Sequence, residues 1–167
     1  RDWSSDVCSS DLLLNGSKMI WLPRLDTKQL IKHMPRSTVM MGVPTFYVRL
    51  LLDRDFTKAV TKNMRLFISG SAPLLTETFN SFKEKTGHTI LERYGMSETV
   101  MLVSNPYKGA RVGGSVGLPL PQTQVRVVKE DGGLCKVNEI GNVEVKGPNV
   151  FKGYWRMPEK TKEEFTR

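Results

Sequence analysis

The chain has 167 residues, 39% of them apolar, with 25 Lys and Arg against 17 Asp and Glu for a formal charge of +8. That length suits one ordinary domain with a buried core, and the composition excludes a disordered tail or a collagen-like repeat. Two cysteines, Cys8 and Cys135, stand far apart with no CxxC or Cys/His cluster, which argues against a disulfide framework or a structural zinc site. The uncharged, apolar-rich stretch 37–48 contains Pro44 and follows Pro35, and it is too short to cross a bilayer.

Residues 1–12, RDWSSDVCSSDL, are polar and show neither strand alternation nor a helical face. They read as a non-native or disordered head, not as a secretory leader, which would need a basic start and a long apolar core. MIWLP (19–23) is a brief strand candidate, and DTKQLIKHM (26–34) predicts a helix capped by Asp26 or Thr27. STVMMGVP (37–44) predicts a strand ended by Gly42 and Pro44, with TFYVRLL (45–51) as a short helix behind it. MRLFISG (64–70) predicts a strand opening into the turn GSAP, and LLTETFNSFKEKTG (74–87) a helix closed by Gly87. TILERYG (89–95) predicts a short strand that runs into a loop. Alternating strands and helices imply an α/β fold with a helix-covered, mostly parallel sheet over 13–104.

Beyond Asn105 closely spaced glycines and prolines replace the helix signals. QVRVVKEDGGLC (124–135) predicts a strand entering a turn at Asp131, Gly132 and Gly133, and IGNVEVKGPNVF (140–151) predicts another strand. Residues 105–167 therefore read as the start of a β-rich subdomain, with a helix beginning after Pro158 and the end looking cut.

Three glycine-containing turns each end a predicted strand: Ser69, Gly70, Ser71, Ala72 and Pro73; then Tyr94, Gly95, Met96, Ser97, Glu98 and Thr99; then 113–117. Ligands in open α/β sheets bind beyond the C-terminal strand ends, and small residues there let backbone approach a planar or phosphorylated ligand. In ERYGMSET, Tyr94 offers a ring for stacking on a base, Ser97 a hydroxyl for phosphate, Glu98 a hard oxygen ligand for magnesium, and Arg93 a fork for a carboxylate. The same residues also admit a plain reading, with Glu92 and Arg93 as a surface pair, Tyr94 in the core and Glu98 in water. His33 and His88 sit in no Ser/His/Asp arrangement, and neither a GxxxxGK[ST] loop nor a GxGxxG fingerprint occurs. The lysines are scattered along predicted helices without an aromatic stripe, which speaks against a nucleic-acid platform.

ERYGMSETV, preceded by MMGVPTFY and RLFISGSAPL and followed by VGGSVGLPLP, VEVKGPNVFKGYWRMPEKT and EEF, resembles the AMP-forming acyl-CoA synthetases of the adenylate-forming superfamily. SGSAPL with ERYGMSET looks most like the malonyl-CoA synthetase branch, and the resemblance covers 17–167. It implies ATP, Mg2+ and coenzyme A as co-reactants, and it implies activation of a small dicarboxylic acid to an acyl-adenylate and then a thioester. It implies that Gly70, Ser71, Ala72 and Pro73 wall the adenine and acyl sites, that Tyr94 and Gly95 lie against adenine, that Ser97 meets the α-phosphate and that Glu98 holds the metal. In the malonate-using branch Arg93, helped by Ser71, would pair with the second carboxylate. Gln122 and Asn138 depart from the pattern by standing where the family has Gly, and they read as tolerated loop variation. The Gly-rich phosphate loop, the YRTGD-type segment and the C-terminal domain with the catalytic lysine fall outside the sequence, which therefore looks like the middle third of an enzyme. Alone it is expected to form negligible acyl-CoA. Alternatives are a ligase for acetate, a medium-chain or an aromatic acid, or a non-catalytic adenylate-binding module. The expected location is the cytoplasm, or the mitochondrial matrix if a leader precedes the segment.

Overall fold

The computed structural model describes residues 12–165. The expectation of a foreign head therefore falls outside the described residues, apart from Leu12, whose carbonyl accepts the Ser17 N–H in a short helical turn. MIWLP forms no strand: Ile20 and Trp21 are exposed, and no ladder partner meets them among the described residues. Apolar content alone does not make a strand without a neighbour to take its N–H and C=O groups.

Helix α1 is Thr27–His33, capped by the Asp26 carboxylate, which accepts the Gln29 N–H at 3.1 Å. After a 3₁₀ turn at Met34–Arg36 come β1, Val39–Gly42, and α2, Pro44–Leu52, where Pro44 ends one element and opens the next. Strand β2 is Leu66–Ser69, α3 is Thr76–Thr86, and β3 is Ile90–Met96. Gly87 closes α3 at φ 79°, a left-handed conformation in which a Cβ is strained. Strands β4, Val100–Ser104, and β5, Leu118–Pro119, complete a five-stranded sheet in the order β1-β2-β3-β4-β5.

The sheet is mixed, which corrects the expectation of a mostly parallel one. β1–β2 and β2–β3 are parallel, whereas β3–β4 and β4–β5 are antiparallel. The reason is length: α2 and α3 each fill a crossover, but only Ser97, Glu98 and Thr99 separate β3 from β4. Three residues cannot carry a chain back to the start of a parallel strand, so the direction reverses. A smaller region follows, in which β6, Gln124–Val128, pairs antiparallel with β7, Asn142–Lys146. The turn expected at 131–133 is present, the Gly133 N–H donating to Asp131 Oδ1 at 2.8 Å. Helix α4, Pro158–Glu164, starts on its proline. No helix among the described residues is long and apolar enough to cross a membrane.

The core lies where α2 and α3 cover one face of the sheet. Phe82 meets Tyr47, Phe56 and Phe67 with ring centroids 5.5, 5.7 and 4.9 Å apart, and all four side chains are fully buried. On α3 the buried positions Thr78, Phe79, Phe82 and Thr86 follow the helical repeat. The Tyr47 hydroxyl donates to Ile68 O at 2.5 Å, and Lys85 Nζ donates to Leu51 O and Asp53 O at 2.7 and 2.9 Å, covering carbonyls at the end of α2.

Behind the C-terminal end of β2 lies Glu92, 3% exposed. Its Oε1 accepts the Leu74 N–H at 2.8 Å, and its carbonyl accepts both Asn105 N–H and Asn105 Nδ2. Burial raises its carboxyl above the usual glutamate range, opposed by the Leu74 N–H. The surface Glu92–Arg93 pair of the plain sequence reading is thus excluded for Glu92.

Gln122 and Asn138 adopt φ 67° and 69°, so the backbone at both positions has the left-handed form that glycine fits. They are strained positions more than neutral variation. Replacing Gln122 with Gly should stabilise the protein by about 0.5–1 kcal/mol, and Asn138→Gly by less because Asn tolerates this region. Urea denaturation would show it, and an unchanged or lower midpoint for Gln122→Gly would contradict the strain. For Glu92, a folded-state value above the unfolded one means stability fully present below the ordinary value of 4.5 and lost as pH rises through the folded value. Wild-type unfolding free energy should therefore fall relative to Glu92→Gln as the pH rises above the ordinary value of 4.5. A pH-independent difference would show that the buried carboxylate is not strained by desolvation.

Candidate functional site

The β2–α3 loop and the β3–β4 hairpin meet beyond the C-terminal end of β2. Ser69 pairs with Glu92 in register, after which β3 runs on past β2 and presents Arg93 and Tyr94 to the loop. A Cβ on Gly70 would sit 3.4 Å from Arg93 O, so the two segments are in contact through backbone. Ser71, Ala72 and Pro73 are exposed, with Ser71 at φ 66°, and Leu74 then turns inward to its bond with Glu92. Ser69 Oγ and Glu92 Oε2 are buried without hydrogen-bond partners at the root of these two segments.

Sequence reasoning ended β3 at Gly95, but the strand continues to Met96 and folds back as a hairpin. The pairing shifts between Tyr94 and Gly95. A Cβ on Gly95 would fall 2.0 Å from Val100 O and 2.9 Å from Met101 Cα, so only glycine fits against the returning strand. Val100, a β-branched residue, is held at φ 56° where the hairpin re-enters the sheet. Tyr94 is 40% exposed, its hydroxyl 3.7 Å from Met96 Sδ, which excludes the core position of the plain reading. Ser97 is exposed at the tip.

Glu98 is half-buried, and Tyr154 Oη donates to its Oε1 at 2.9 Å. Its carbonyl accepts the Phe151 N–H at 2.7 Å, and the next carbonyl, Thr99 O, accepts Asn149 Nδ2 at 2.6 Å. Hydrogen bonding to Glu98 holds the Tyr154 hydroxyl above the ordinary tyrosine range. Tyr154 and Glu92 are functional neighbours that sequence reasoning missed. For Tyr154 the VFKGYW segment offered no signal of where its hydroxyl ends, and for Glu92 the only hint was a carboxylate inside an apolar strand.

The third glycine turn, 113–117, ends no strand. It packs on the start of α3, where a Cβ on Gly113 would lie 2.8 Å from Phe79 and one on Gly114 2.6 Å from Thr76 Oγ1. Asn105 ties it to the site, donating from Nδ2 to Ser115 O and accepting the Val112 N–H. Neither histidine reaches these loops: His33 Nδ1 accepts from Arg36 Nε, and His88 lies against Phe67 with Nε2 3.1 Å from Thr61 O.

No cluster of three or more His, Cys, Asp or Glu occurs among the described residues. A single carboxylate with one oxygen fixed by a neutral phenol suits Mg2+, which takes one or two protein carboxylates and fills its octahedron from phosphates and water. The donor set at Glu98 fits that ion and does not resemble a site built wholly from protein ligands.

The profile of the family described as AMP-binding enzyme matches residues 8–155. A probable CoA ligase of Humulus lupulus is 43% identical over 137 residues, 77% of this chain and 23% of that protein. The malonate–CoA ligase of Arabidopsis thaliana is 42% identical over 137 residues, 77% of this chain and 22% of that protein. The crystal structure of ATP-bound MatB from Rhodopseudomonas palustris is 56% identical with a TM-score of 0.92, covering 96% of this chain and 32% of that one. The chain thus spans between 22% and 32% of the length of these relatives. With a fold and a loop pair of this kind and a family match over most of its length, the chain belongs to the AMP-binding enzymes of the AMP-forming acyl-CoA synthetase superfamily and is closely related to malonate–CoA ligases.

Proposed function

We propose that this chain supplies the acyl and adenylate side of an ATP-dependent acid–CoA ligase acting on malonate or a closely related small acid. The observation that supports the reading is the backbone contact of Gly70 with Arg93, which joins the small-residue loop to the strand that carries Arg93 and Tyr94 and leads into the Ser97–Glu98 turn. The likeness to the malonate–CoA ligase of Arabidopsis thaliana supports the substrate class, and the likeness to ATP-bound MatB supports the nucleotide.

In this reading the acid's carboxylate oxygen attacks the α-phosphorus of ATP, the bond to the β-phosphate oxygen breaks, and pyrophosphate leaves. The thiol of coenzyme A then attacks the acyl carbonyl, and AMP leaves. Gly70, Ser71, Ala72 and Pro73 line adenine and acid, and Tyr94 stacks on the base beside Gly95, whose missing side chain keeps the hairpin close. The Ser97 hydroxyl donates to an α-phosphate oxygen. Glu98 would hold a magnesium ion that arrives with the nucleotide, and when bound that ion would supply positive charge against the phosphates. Arg93, with Ser71, binds the second carboxylate of the acid. The triphosphate grip and the catalytic lysine of a C-terminal domain are assigned to sequence outside these residues, so this segment alone should make negligible thioester.

The longest reading frame containing the segment, assayed for pyrophosphate release with malonate, methylmalonate, acetate and octanoate, should prefer malonate. Arg93→Ala should raise the KM for malonate roughly 10- to 100-fold, the worth of a charged hydrogen bond, with little effect on acetate. Preference for acetate or octanoate would discard the dicarboxylate substrate, and no release with any acid by a folded protein would discard the ligase.

A further inference from the structure

Three hydrogen-bond donors from one stretch, 149–154, converge on two consecutive residues of the hairpin tip. Asn149 Nδ2 and the Phe151 N–H take the carbonyls of Thr99 and Glu98, and the Tyr154 hydroxyl takes the Glu98 carboxylate. Tyr154 is itself held from several sides. Its ring meets Phe151 edge-on with centroids 4.8 Å apart, Lys160 Nζ lies 4.8 Å from the ring centre, and its N–H donates to Thr161 Oγ1 at 3.0 Å. Phe151 in turn stacks on Phe165 at 5.5 Å. The hydroxyl is therefore placed by packing on α4 and its flanks, not by the hairpin it touches. A carboxylate at a hairpin tip has free rotamers unless something outside the hairpin fixes it, and ordering it beforehand removes that entropy from the binding step.

We propose that Tyr154 is the positioning residue for Glu98: its hydroxyl fixes the carboxylate through Oε1 and leaves Oε2 as the oxygen that takes magnesium with the nucleotide. The inference rests on the ligase reading for the identity of the metal. It makes the smaller β-rich region, with the start of α4, a working part of the metal site. The charged groups facing the phenol are Glu98, Glu164 and Lys160.

The test uses Tyr154→Phe, which keeps the ring and removes only the hydroxyl, in the longest reading frame containing the segment. Binding of Mn2+ in the presence of ATP, followed by electron paramagnetic resonance, should weaken about tenfold, the usual effect of losing a group that orients a metal ligand. The free Mg2+ needed for half-maximal pyrophosphate release should rise by about the same factor, while the KM for malonate stays within about twofold. Added to Glu98→Gln, Tyr154→Phe should cost nothing further, because both remove one interaction. Unchanged Mn2+ affinity in Tyr154→Phe, or a loss that adds fully to that of Glu98→Gln, would each overturn the proposal. If the parent protein turns over no acid, the ligase reading fails, and the Mn2+–ATP affinity still decides the role of Tyr154.

Discussion

A single buried residue, Glu92, ties the small-residue loop through its carboxylate, and Asn105 with the glycine turn through its carbonyl, to the strand that carries the hairpin. Its side chain receives the Leu74 N–H at the end of the small-residue loop, and its main chain receives Asn105, which also fastens the glycine turn at 112–115. Placing a carboxylate there costs desolvation, and one oxygen is left without a partner. An apolar residue would cost less locally but would leave the Leu74 N–H buried and unmatched. The strand carrying Glu92 is also the one on which the sheet changes from parallel to antiparallel pairing, so the same few residues set the topology and the shape of the site.

Support for the site divides by distance along the chain. The wall at 70–73 and the hairpin at 93–100 are brought together by crossovers and by neighbouring strands of one sheet. The tip of that hairpin is braced from 50 to 56 positions downstream, where the brace is built from a loop, two aromatic rings and a short helix. A region that looks like a small appendage to the α/β sheet thereby shares in ordering the residue expected to hold the metal.

Local chemistry was legible and remote pairing was not. The Asp26 cap, the Gly87 close of α3 and the Pro158 start of α4 were each readable because the signal lies within a few residues of its effect. VMLVS at 100–104 passed without notice because a strand after a three-residue turn carries no signature apart from the strand it joins. MIWLP had strand composition and no neighbour to pair with among the described residues. At the site, the sequence marked Tyr94, Ser97 and Glu98 by their chemistry, yet it could not foresee that Glu92 lies inside or that Tyr154 reaches Glu98, since both facts depend on tertiary contact. Gln122 and Asn138 looked like harmless exchanges because φ is not written in a side chain.

The tight seat of Gly95 has a further meaning for how such a site changes over time. In a strand, slipping by one position turns every side chain to the opposite face, so Arg93 and Tyr94 would trade places. The returning backbone of Val100 and Met101 admits no side chain at position 95, and a slipped register would push one into that space. Frame shifts of the hairpin are thereby forbidden while substitutions in place are allowed. On the proposed reading, diversity in what the pocket accepts would then come from exchanging Arg93 and Ser71 on an unmoved backbone, and acid preference would be a matter of side-chain identity read at fixed coordinates.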